Sequence, residues 1–263
     1  MTILIVGDSC EDVFIYGDIT RLTPEAPAPV FNPLRKKTNG GMAKNVANNV
    51  EALKTTIFTL TNKNNIRKVR YVDDKSNQLV LRVDEHDHCD RIDKETLMQI
   101  KNNEYHPSMS NKTSVDAIII SDYCKGFLEE EDIQYICENN QNVFIDTKKE
   151  LGDWINLADY IKINSLEYEK NEKFFKDNDI INKTIVTQGN KGCLFRGEIY
   201  PTENVPVKDI SGAGDTFLAG LTVEYIRTND IIKAIEFAQR CATIAVQKHG
   251  VSVVTKEEIE SYE

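Results

Sequence analysis

Short apolar runs rich in β-branched residues recur along this chain and alternate with segments of helical periodicity. The clearest runs are at residues 3–7, 57–60, 117–121, 143–146, 160–163 and 184–187. Runs that are apolar throughout, rather than at every second residue, are typical of parallel strands buried on both faces. Strands that alternate with helices favour an α/β architecture. The pattern therefore predicts an α/β fold with a mostly parallel central sheet.

The helical segments are also recognisable from the spacing of their apolar residues. Residues 41–53 carry their apolar side chains on one face, as an amphipathic helix does. A second helix is predicted after Ser211, whose side chain can cap it, and a third from about Asp230 to Gly250.

The N-terminal third contains β-rich segments of a different kind. The stretch from the first strand to residue 37 is rich in proline and is predicted to be extended. Residues 67–72 and 78–83 are joined by DDKSN and predict a hairpin. The sequence contains no repeat, low-complexity tract or linker. The simplest interpretation is one α/β domain spanning residues 1–263, with a small β excursion near the N-terminus.

Charge and composition exclude several classes of protein. The formal net charge of −10 over 263 residues argues against nonspecific nucleic-acid binding, which needs a basic surface. No apolar run is long enough to span a membrane, and Met1 leads directly into a strand rather than into a targeting segment. The six cysteines are scattered and form no CxxC pair, as in proteins kept reduced. We expect a cytoplasmic protein without nucleic-acid or membrane partners.

The most specific motif is DISGAGDTF, at the start of the second predicted helix. Gly212, Ala213 and Gly214 leave backbone N–H groups open to a ligand, and the helix start adds unpaired amides and the positive end of its dipole. A phosphate fits such a site. Asp215, in the first turn, is then placed to take a proton from a hydroxyl aligned with that phosphate. The alternative is a plain helix start with a favourable acidic residue.

Two other glycine-rich nucleotide motifs are excluded. The chain has no GxxxxGK followed by Ser or Thr, so it is not a P-loop enzyme. GAGDTF lacks the third glycine of a dinucleotide-binding fingerprint and lies far from the first strand.

DISGAGDTFLAG resembles the C-terminal signature of the ribokinase-like (PfkB) carbohydrate kinases, and GGMAKN resembles the N-terminal GGxxxN signature of that family. The resemblance implies a three-layer α/β sandwich with a β lid formed by about residues 13–38 and 67–84. It also implies an ATP-dependent carbohydrate kinase that uses Mg²⁺ and acts on a sugar or sugar phosphate.

The resemblance assigns sugar-binding roles to several residues. Gly40, Gly41 and Asn45, in GGMAKN, would contact sugar hydroxyls. Asp12, which follows the first strand, matches the second sugar-binding acid of the family; without the resemblance a simple turn residue is an equal explanation.

Four further segments, GDSCEDVFIYGDITRLTPEAPAPV, SDYCKG, IDTK and NSLE, resemble the kinase domain of bacterial heptose-phosphate kinases. The resemblance covers nearly the whole chain, and the motifs occur in the order of the family. It implies phosphorylation of the anomeric hydroxyl of D-glycero-D-manno-heptose 7-phosphate on the way to ADP-heptose. Lys125, within SDYCKG, is assigned to the substrate site.

The nucleotide and metal sites are assigned by the same resemblance. Glu167 would hold Mg²⁺ through water, because Mg²⁺ keeps much of its hydration shell. Asp209 and Ser211 would form a loop for a monovalent cation such as K⁺. The residues assigned to nucleotide binding are Asn164, Glu167, Thr187, Gly189, Gly192, Lys248 and Gly250, of which Lys248 and Gly250 would close the adenine side or join the cation loop. For each of them, a turn residue at the end of a strand is the alternative.

The chain departs from the family pattern in three places. TNKNNIRK, after Leu60, replaces what is usually a strand, a helix and a further strand, so an edge of the sheet is expected to be missing or covered by another subunit. Lys44 stands where a small residue is usual; it is expected to point to solvent, and the alternative is a contact with a substrate phosphate. Lys149 replaces a glycine usual after IDTK. The nucleotidyltransferase domain that some heptose kinases carry is absent from this sequence.

Charged side chains in the predicted lid suggest how a sugar phosphate would be held. The basic residues there are Arg21, Lys36, Lys37, Lys68, Arg70 and Arg82. Surface charge explains any one of them equally well, but together they are the main basic concentration near the predicted sugar site. The cluster His86, Asp87, His88 and Cys89 is interpreted as a loop rather than a metal site, because it has no second group of ligands.

Two alternatives to a heptose 7-phosphate kinase remain open. The acceptor could be another sugar or a nucleoside, or the chain could be a catalytically impaired relative that binds nucleotide or sugar. The intact set of Asp215, Asn45, Asp12 and Glu167 favours an active kinase. A homodimer formed through the lid is expected from the resemblance.

Overall fold

The computed structural model describes residues 1–108, 111–178 and 180–262. The strands of these residues are β1 (Thr2–Gly7), β2 (Ser9–Leu22), β3 (Pro29–Met42), β4 (Thr56–Thr61), β5 (Ile66–Asp73), β6 (Leu79–Glu85), β7 (Ile100–Lys101), β8 (Glu104–Ser108), β9 (Asn111–Ser114), β10 (Ala117–Asp122), β11 (Val143–Thr147), β12 (Tyr160–Asn164), β13 (Thr184–Thr187), β14 (Cys193–Phe195) and β15 (Glu198–Tyr200). The helices are α1 (Ala43–Ala52), α2 (Lys94–Met98), α3 (Glu130–Asn139), α4 (Ser165–Lys170), α5 (Glu172–Asp177), α6 (Ala213–Thr228), α7 (Ile231–Val246) and α8 (Lys256–Glu260).

The central sheet contains every strand predicted from an apolar run. Within the described residues its order is β15-β14-β13-β12-β11-β10-β1-β4. The strands from β4 to β13 pair in parallel, and only β14 and β15 run antiparallel to their neighbours. The mostly parallel sheet predicted from the sequence is therefore confirmed.

The sheet is buried on both faces, which explains why its strands are apolar throughout. Alternate residues of β1 enter different cores: Ile3 and Ile5 pack with α1, α6 and α7, whereas Leu4 and Val6 pack with α3 and its neighbours. All four of these side chains are fully buried. Helices on both sides of the sheet give the predicted three-layer sandwich.

A second sheet covers one end of the molecule, with the order β3-β2-β5-β6. The proline-rich stretch predicted to be extended forms the long antiparallel pair β2 and β3, and the predicted hairpin is the antiparallel pair β5 and β6. The proposed lid segments, residues 13–38 and 67–84, lie in this sheet and its turns. We call it the lid sheet.

Only four residues separate β4, at the edge of the central sheet, from β5. Strand β4 ends the sheet on this side, and a short segment leads to β5 in the lid sheet. Asn62 secures that segment: its Oδ1 accepts the backbone N–H of Ser9 at 2.6 Å and its Nδ2 donates to the carbonyl of Asn64 at 2.7 Å. Tyr105 of β8 packs edge to face on Phe58 of β4, with ring centroids 5.9 Å apart.

Two helix ends differ from the sequence prediction. Ser211 does not cap α6; the N-cap is Gly212, in the left-handed conformation with φ 81°, and the N–H of Ser211 donates to Asp209 instead. The left-handed turn requires glycine rather than a capping serine. Helix α7 begins after Asp230 as predicted, but it ends at Val246 instead of Gly250. No helix in the described parts of the chain is both long and apolar enough to cross a membrane.

Candidate active site

Polar side chains gather at the carboxyl ends of β10, β11 and β12, opposite the start of α6. In parallel α/β sheets this is the edge where ligands bind. A cleft of about 520 Å³ opens here, a volume in the range of small-molecule sites. Its lining includes Asp215 and, on an apolar wall, Val205, Val207 and Val246.

Asp215 lies in the first turn of α6 and is 4 % exposed. Each carboxylate oxygen accepts one hydrogen bond: Oδ2 from Asn45 Nδ2 at 2.9 Å and Oδ1 from the Tyr123 hydroxyl at 2.7 Å. Burial raises the pKa of Asp215 above its ordinary value, although the two hydrogen bonds oppose that shift. The predicted base is thus a buried carboxylate held by two neutral donors, and the predicted sugar ligand Asn45 contacts it directly.

The glycine turn before α6 allows this close packing. A Cβ atom on Gly212 would lie 2.6 Å from Asn45 Nδ2, and one on Gly214 would lie 2.8 Å from Lys162 Nζ. Both distances are too short for a real contact. The glycines of the motif therefore let an asparagine and a lysine approach the helix start.

A chain of alternating charges runs along the floor of the cleft. Asp146, at the end of β11, accepts hydrogen bonds from Lys162 Nζ at 2.5 Å and Lys148 Nζ at 3.0 Å, and Lys148 also donates to Glu167 at 2.6 Å. Asp146 and Lys162 are almost fully buried. The lysines hold the pKa of Asp146 below its ordinary value despite burial, which raises it.

Tyr123 lies in SDYCKG, and Asp146 and Lys148 lie in IDTK, but no site role is predicted for them or for Lys162. All four stand within two residues of the carboxyl end of a predicted strand. That position is a second signal, because ligands bind at this edge. Lys149 replaces a glycine usual in the family, and its Nζ lies 3.7 Å from Asp122 Oδ2.

Four of the residues assigned to the nucleotide, Asn164, Thr187, Gly189 and Gly192, line the cleft. Glu167 does not line the cleft; it accepts a hydrogen bond from Lys148, which does, and it forms a capping box with Asn164 at the start of α4. Among the described residues, no group of three or more His, Cys, Asp or Glu side chains is arranged to hold a metal ion, and this includes the cluster around His86.

Lys248 and Gly250 do not line the cleft. Lys248 donates to Glu258 and to the carbonyl of Val253. The backbone N–H of Gly250 donates to Asp209 Oδ2 at 3.0 Å, while Asp209 Oδ1 accepts from Ser211 at 2.8 Å. Asp209, Ser211 and Gly250 are thus together, as the cation-loop prediction requires, but they border a separate cavity of about 310 Å³ under the lid sheet.

The residues assigned to the sugar meet where β2 and β3 leave the central layer. Asp12 is buried and paired with Arg70. Its carboxylate packs on Gly41, where a Cβ atom would lie 2.5 Å from Asp12 Oδ2. Gly40 lies against the stem of Lys44, and Lys44 is exposed, as predicted.

Four cations surround this region. Lys68, Arg70 and Arg82 share one face of the lid sheet, because Arg70 pairs with Arg82 and lies two residues from Lys68. Lys125 approaches from the loop after β10 and donates to Asp87 at 2.6 Å. By contrast, Arg21, Lys36 and Lys37 are exposed.

Lys68 differs from its neighbours. It is 7 % exposed, and within the described residues it has no carboxylate at ion-pair distance, whereas Arg70, Arg82 and Lys125 each have one. Burial lowers the pKa of Lys68, and the charges of Arg82 and Lys125 lower it further, whereas Cys10 and Asp12 oppose the shift. Its ammonium lies 5.3 Å from the centroid of the Tyr123 ring. A buried ammonium that has no carboxylate at ion-pair distance among the described residues suits an anionic ligand.

Solved structures share this fold. Ribokinase from Thermotoga maritima superposes with a TM-score of 0.73 over 99 % of this chain and 98 % of its own, at 18 % identity. Phosphofructokinase-2 from Escherichia coli, solved in complex with potassium, superposes with a TM-score of 0.68 over 98 % and 96 %, at 13 % identity. The fold is therefore ribokinase-like.

Relatives identified by sequence are more similar to this chain in sequence than these solved structures are. The bifunctional protein HldE of Helicobacter pylori strain J99 is 30 % identical in an alignment 301 positions long, gaps included, which covers 98 % of this chain and 65 % of the relative. HldE of Nitrobacter winogradskyi is also 30 % identical, over 98 % of this chain and 62 % of the relative. The chain thus spans less than two thirds of the length of these relatives. The family model described as pfkB family carbohydrate kinase matches residues 49–258. The chain belongs to the pfkB family of carbohydrate kinases.

Proposed function

We propose that this carbohydrate kinase transfers the γ-phosphate of ATP to the anomeric hydroxyl of D-glycero-D-manno-heptose 7-phosphate, with Asp215 as the base. The observation that carries the proposal is the position of Asp215. Its buried carboxylate lines the nucleotide-sized cleft and, through Asn45, touches the residues assigned to the sugar. A base at that junction lies between the two substrates.

The reaction follows from this arrangement. Asp215 accepts the proton of the sugar hydroxyl as that oxygen attacks the γ-phosphorus. The amides of the turn Gly212, Ala213 and Gly214 stabilise charge on the transferring group. Lys162, buried beside Gly214, adds a fixed positive charge. In this scheme ADP leaves along the cleft.

The donor set around Glu167 fits a water-mediated Mg²⁺. Glu167 and Asp146 are two carboxylates bridged by the ammonium of Lys148, and Mg²⁺ in kinases is held by few carboxylates together with substrate phosphates. Bound Mg²⁺ would neutralise charge on the β- and γ-phosphates. Asn164, Thr187, Gly189 and Gly192 would contact the nucleotide. Asp209, Ser211 and Gly250 would form the K⁺ loop, and Lys248 would support it from behind.

The cations of the lid sheet support a phosphorylated acceptor. Lys68 is buried, it has no carboxylate at ion-pair distance among the described residues, and Arg82 and Lys125 are close to it. On a chain with a net charge of −10, this local positive charge would attract an anionic acceptor. Asp12, Gly40, Gly41, Asn45 and Lys125 would bind the sugar itself. The HldE relatives support a heptose, and the second activity of those bifunctional proteins is outside this proposal.

Lys68→Met is expected to raise the KM for a phosphorylated acceptor by about 10- to 100-fold, since a hydrogen bond to a charged group is worth about 1.5–3 kcal/mol. Turnover of an unphosphorylated analogue should change little. Steady-state kinetics with the two acceptors measures the difference. Lys44→Met, which removes an exposed lysine nearby, is the control. An equal loss with both acceptors would contradict a phosphate contact by Lys68.

The proposal is tested by following ADP formation from Mg·ATP. The acceptors are heptose 7-phosphate, fructose phosphates, free hexoses, ribose and nucleosides. Turnover that depends on heptose 7-phosphate supports the proposal. A better acceptor elsewhere in the panel identifies a kinase for another sugar or a nucleoside. Binding of ATP or sugar without turnover with any acceptor indicates the impaired relative.

We also propose that residues 1–263 act as one kinase unit, with the lid sheet over the sugar, and that two copies associate through their lids in the cytoplasm. Leu79, Leu81 and Val83 leave apolar surface exposed along the edge strand β6. All six cysteines, which lie within the described residues, are free thiols, as suits a reducing compartment.

Leu81→Glu is therefore expected to convert a dimer to a monomer, because it places a charge in the apolar lid contact. Sedimentation equilibrium measures the mass. Leu157→Glu, at an exposed leucine away from the lid, should leave the dimer intact. A wild-type chain that sediments as a monomer at micromolar concentration would refute association through the lid.

A further inference from the structure

A buried carboxylate accepts several backbone hydrogen bonds from the loop after β10. Asp8, which follows β1, is fully buried, and it accepts the backbone N–H groups of Tyr123 at 2.7 Å, Lys125 at 3.3 Å and Phe127 at 3.2 Å. Three donors on one carboxylate define the path of the loop. The backbone from which the Tyr123 side chain projects is therefore held in place.

From this loop the Tyr123 side chain reaches Asp215. Its hydroxyl donates to Oδ1 at 2.7 Å, while Asn45 Nδ2 donates to Oδ2 at 2.9 Å. A carboxylate with one fixed donor on each oxygen has a defined plane, and it keeps lone pairs free to accept a further proton donor. The Tyr123 ring lies between two ammonium groups, with Lys68 Nζ at 5.3 Å and Lys148 Nζ at 5.4 Å from its centroid.

The groups around Asp215 have opposing effects on its pKa. Burial raises the pKa of Asp215, and the negative charge of Asp146 raises it further, whereas the donors Asn45 and Tyr123 and the charge of Lys162 lower it. The Cys10 thiol also faces this carboxylate, and burial raises its pKa to about 12, so it stays neutral. Burial also raises the pKa of Tyr123 well above its ordinary value, so the phenol remains a proton donor.

We propose that Tyr123 is a positioning residue for Asp215: the Tyr123 hydroxyl, hydrogen-bonded to Asp215 Oδ1, orients the carboxylate and favours its ionised form. This inference rests on the proposed role of Asp215 as the base. In the proposed step, the acceptor O–H proton moves to Asp215, the acceptor oxygen bonds to the γ-phosphorus, and the bond from that phosphorus to the β–γ bridging oxygen breaks. Tyr123 keeps its own proton throughout.

Tyr123→Phe tests the proposal because it removes the hydroxyl and keeps the ring. The pKa of Asp215 should rise by about 1–2 units, the equivalent of one hydrogen bond to a charged group. The sign follows from the charge: losing a donor favours the protonated, inactive base. The acid limb of the kcat profile should therefore move to higher pH by the same amount, with an unchanged KM for Mg·ATP.

A second readout does not depend on turnover. The side-chain carboxyl of Asp215 is titrated by ¹³C NMR in protein free of nucleotide, and Asp215→Asn assigns the signal. The wild type is compared with Tyr123→Phe and with Tyr160→Phe. Tyr160 packs with Phe144 and Tyr225 at the start of β12, away from the cleft, so its variant should titrate like the wild type.

The two readouts separate the proposals. An upward shift of the Asp215 titration in Tyr123→Phe alone supports the inference, and it does so even when the wild type shows no sugar-dependent turnover, a result that would overturn the proposed function. An unshifted titration in Tyr123→Phe, or an equal shift in Tyr160→Phe, overturns the inference. In an active enzyme, an acid limb that stays in place overturns it as well.

Discussion

Asp215→Asn is expected to lower kcat by about 10²- to 10⁴-fold, the usual contribution of a positioned base. The amide has nearly the same shape as the carboxylate, but it cannot accept the proton of the sugar hydroxyl. The cleft is also lined by the apolar wall and by Lys148 and Lys162, which this substitution leaves unchanged. Nucleotide binding, measured by calorimetry, should therefore remain close to that of the wild type while ADP formation falls.

Asp230→Asn is the matched control for that substitution. Asp230 caps α7 by accepting the N–H groups of Ile232 and Lys233, and asparagine caps helices about as well. The Asp230→Asn variant should therefore keep the kinase activity of the wild type. An Asp215→Asn enzyme that retains more than about a tenth of the wild-type kcat would show that the proton leaves by another route, and the base would have to be sought elsewhere in the site.

Gly7→Ala is expected to reduce the free energy of unfolding by more than about 4 kcal/mol, a loss typical of severe overpacking with backbone displacement. Gly7 ends β1 beside Ser121 of β10, and an added Cβ atom would lie 1.9 Å from the Ser121 carbonyl oxygen. Neither partner can yield, because both belong to the centre of the parallel sheet. Urea unfolding followed by circular dichroism measures the change.

Gly197→Ala separates this clash from the general effect of replacing a glycine. Gly197 has φ 81°, and a Cβ atom added there would enter open space, so only backbone strain of about 1–2 kcal/mol is expected. If Gly7→Ala and Gly197→Ala lost the same free energy of unfolding, β1 and β10 would have to separate easily. The adjoining loop, which carries Tyr123, would then be less firmly placed than Asp8 indicates.

The sequence predicts the layers of this fold well and its site only in part. The central strands are recognisable because burial on both faces leaves them uniformly apolar, as in β10. Asp215 is recognisable because the glycine turn and the helix start are contiguous in sequence. The bond between Tyr123 and Asp215 joins residues 92 positions apart, and no local spacing encodes it.

Where local chemistry misled the prediction, tertiary structure explains why. Ser211 has a good capping side chain, but the turn must admit Asn45, and only Gly212 permits that approach. Lys248 falls in the turn that follows α7, and its ammonium pairs with Glu258 of α8 instead of lining the cleft; its assignment to the nucleotide site stays a prediction. Both outcomes depend on elements that pack against the segment from elsewhere in the chain.

The short segment after β4 also indicates where additional chain could be inserted into this fold. Because β4 is the terminal strand and the cleft lies beyond β1 on the other side of the sheet, added strands at this border would meet solvent and not the catalytic centre. Lengthening a surface connection costs little entropy. Additional strands or helices could therefore be inserted at this border, provided that the hydrogen bond from the Ser9 N–H to Asn62 is preserved.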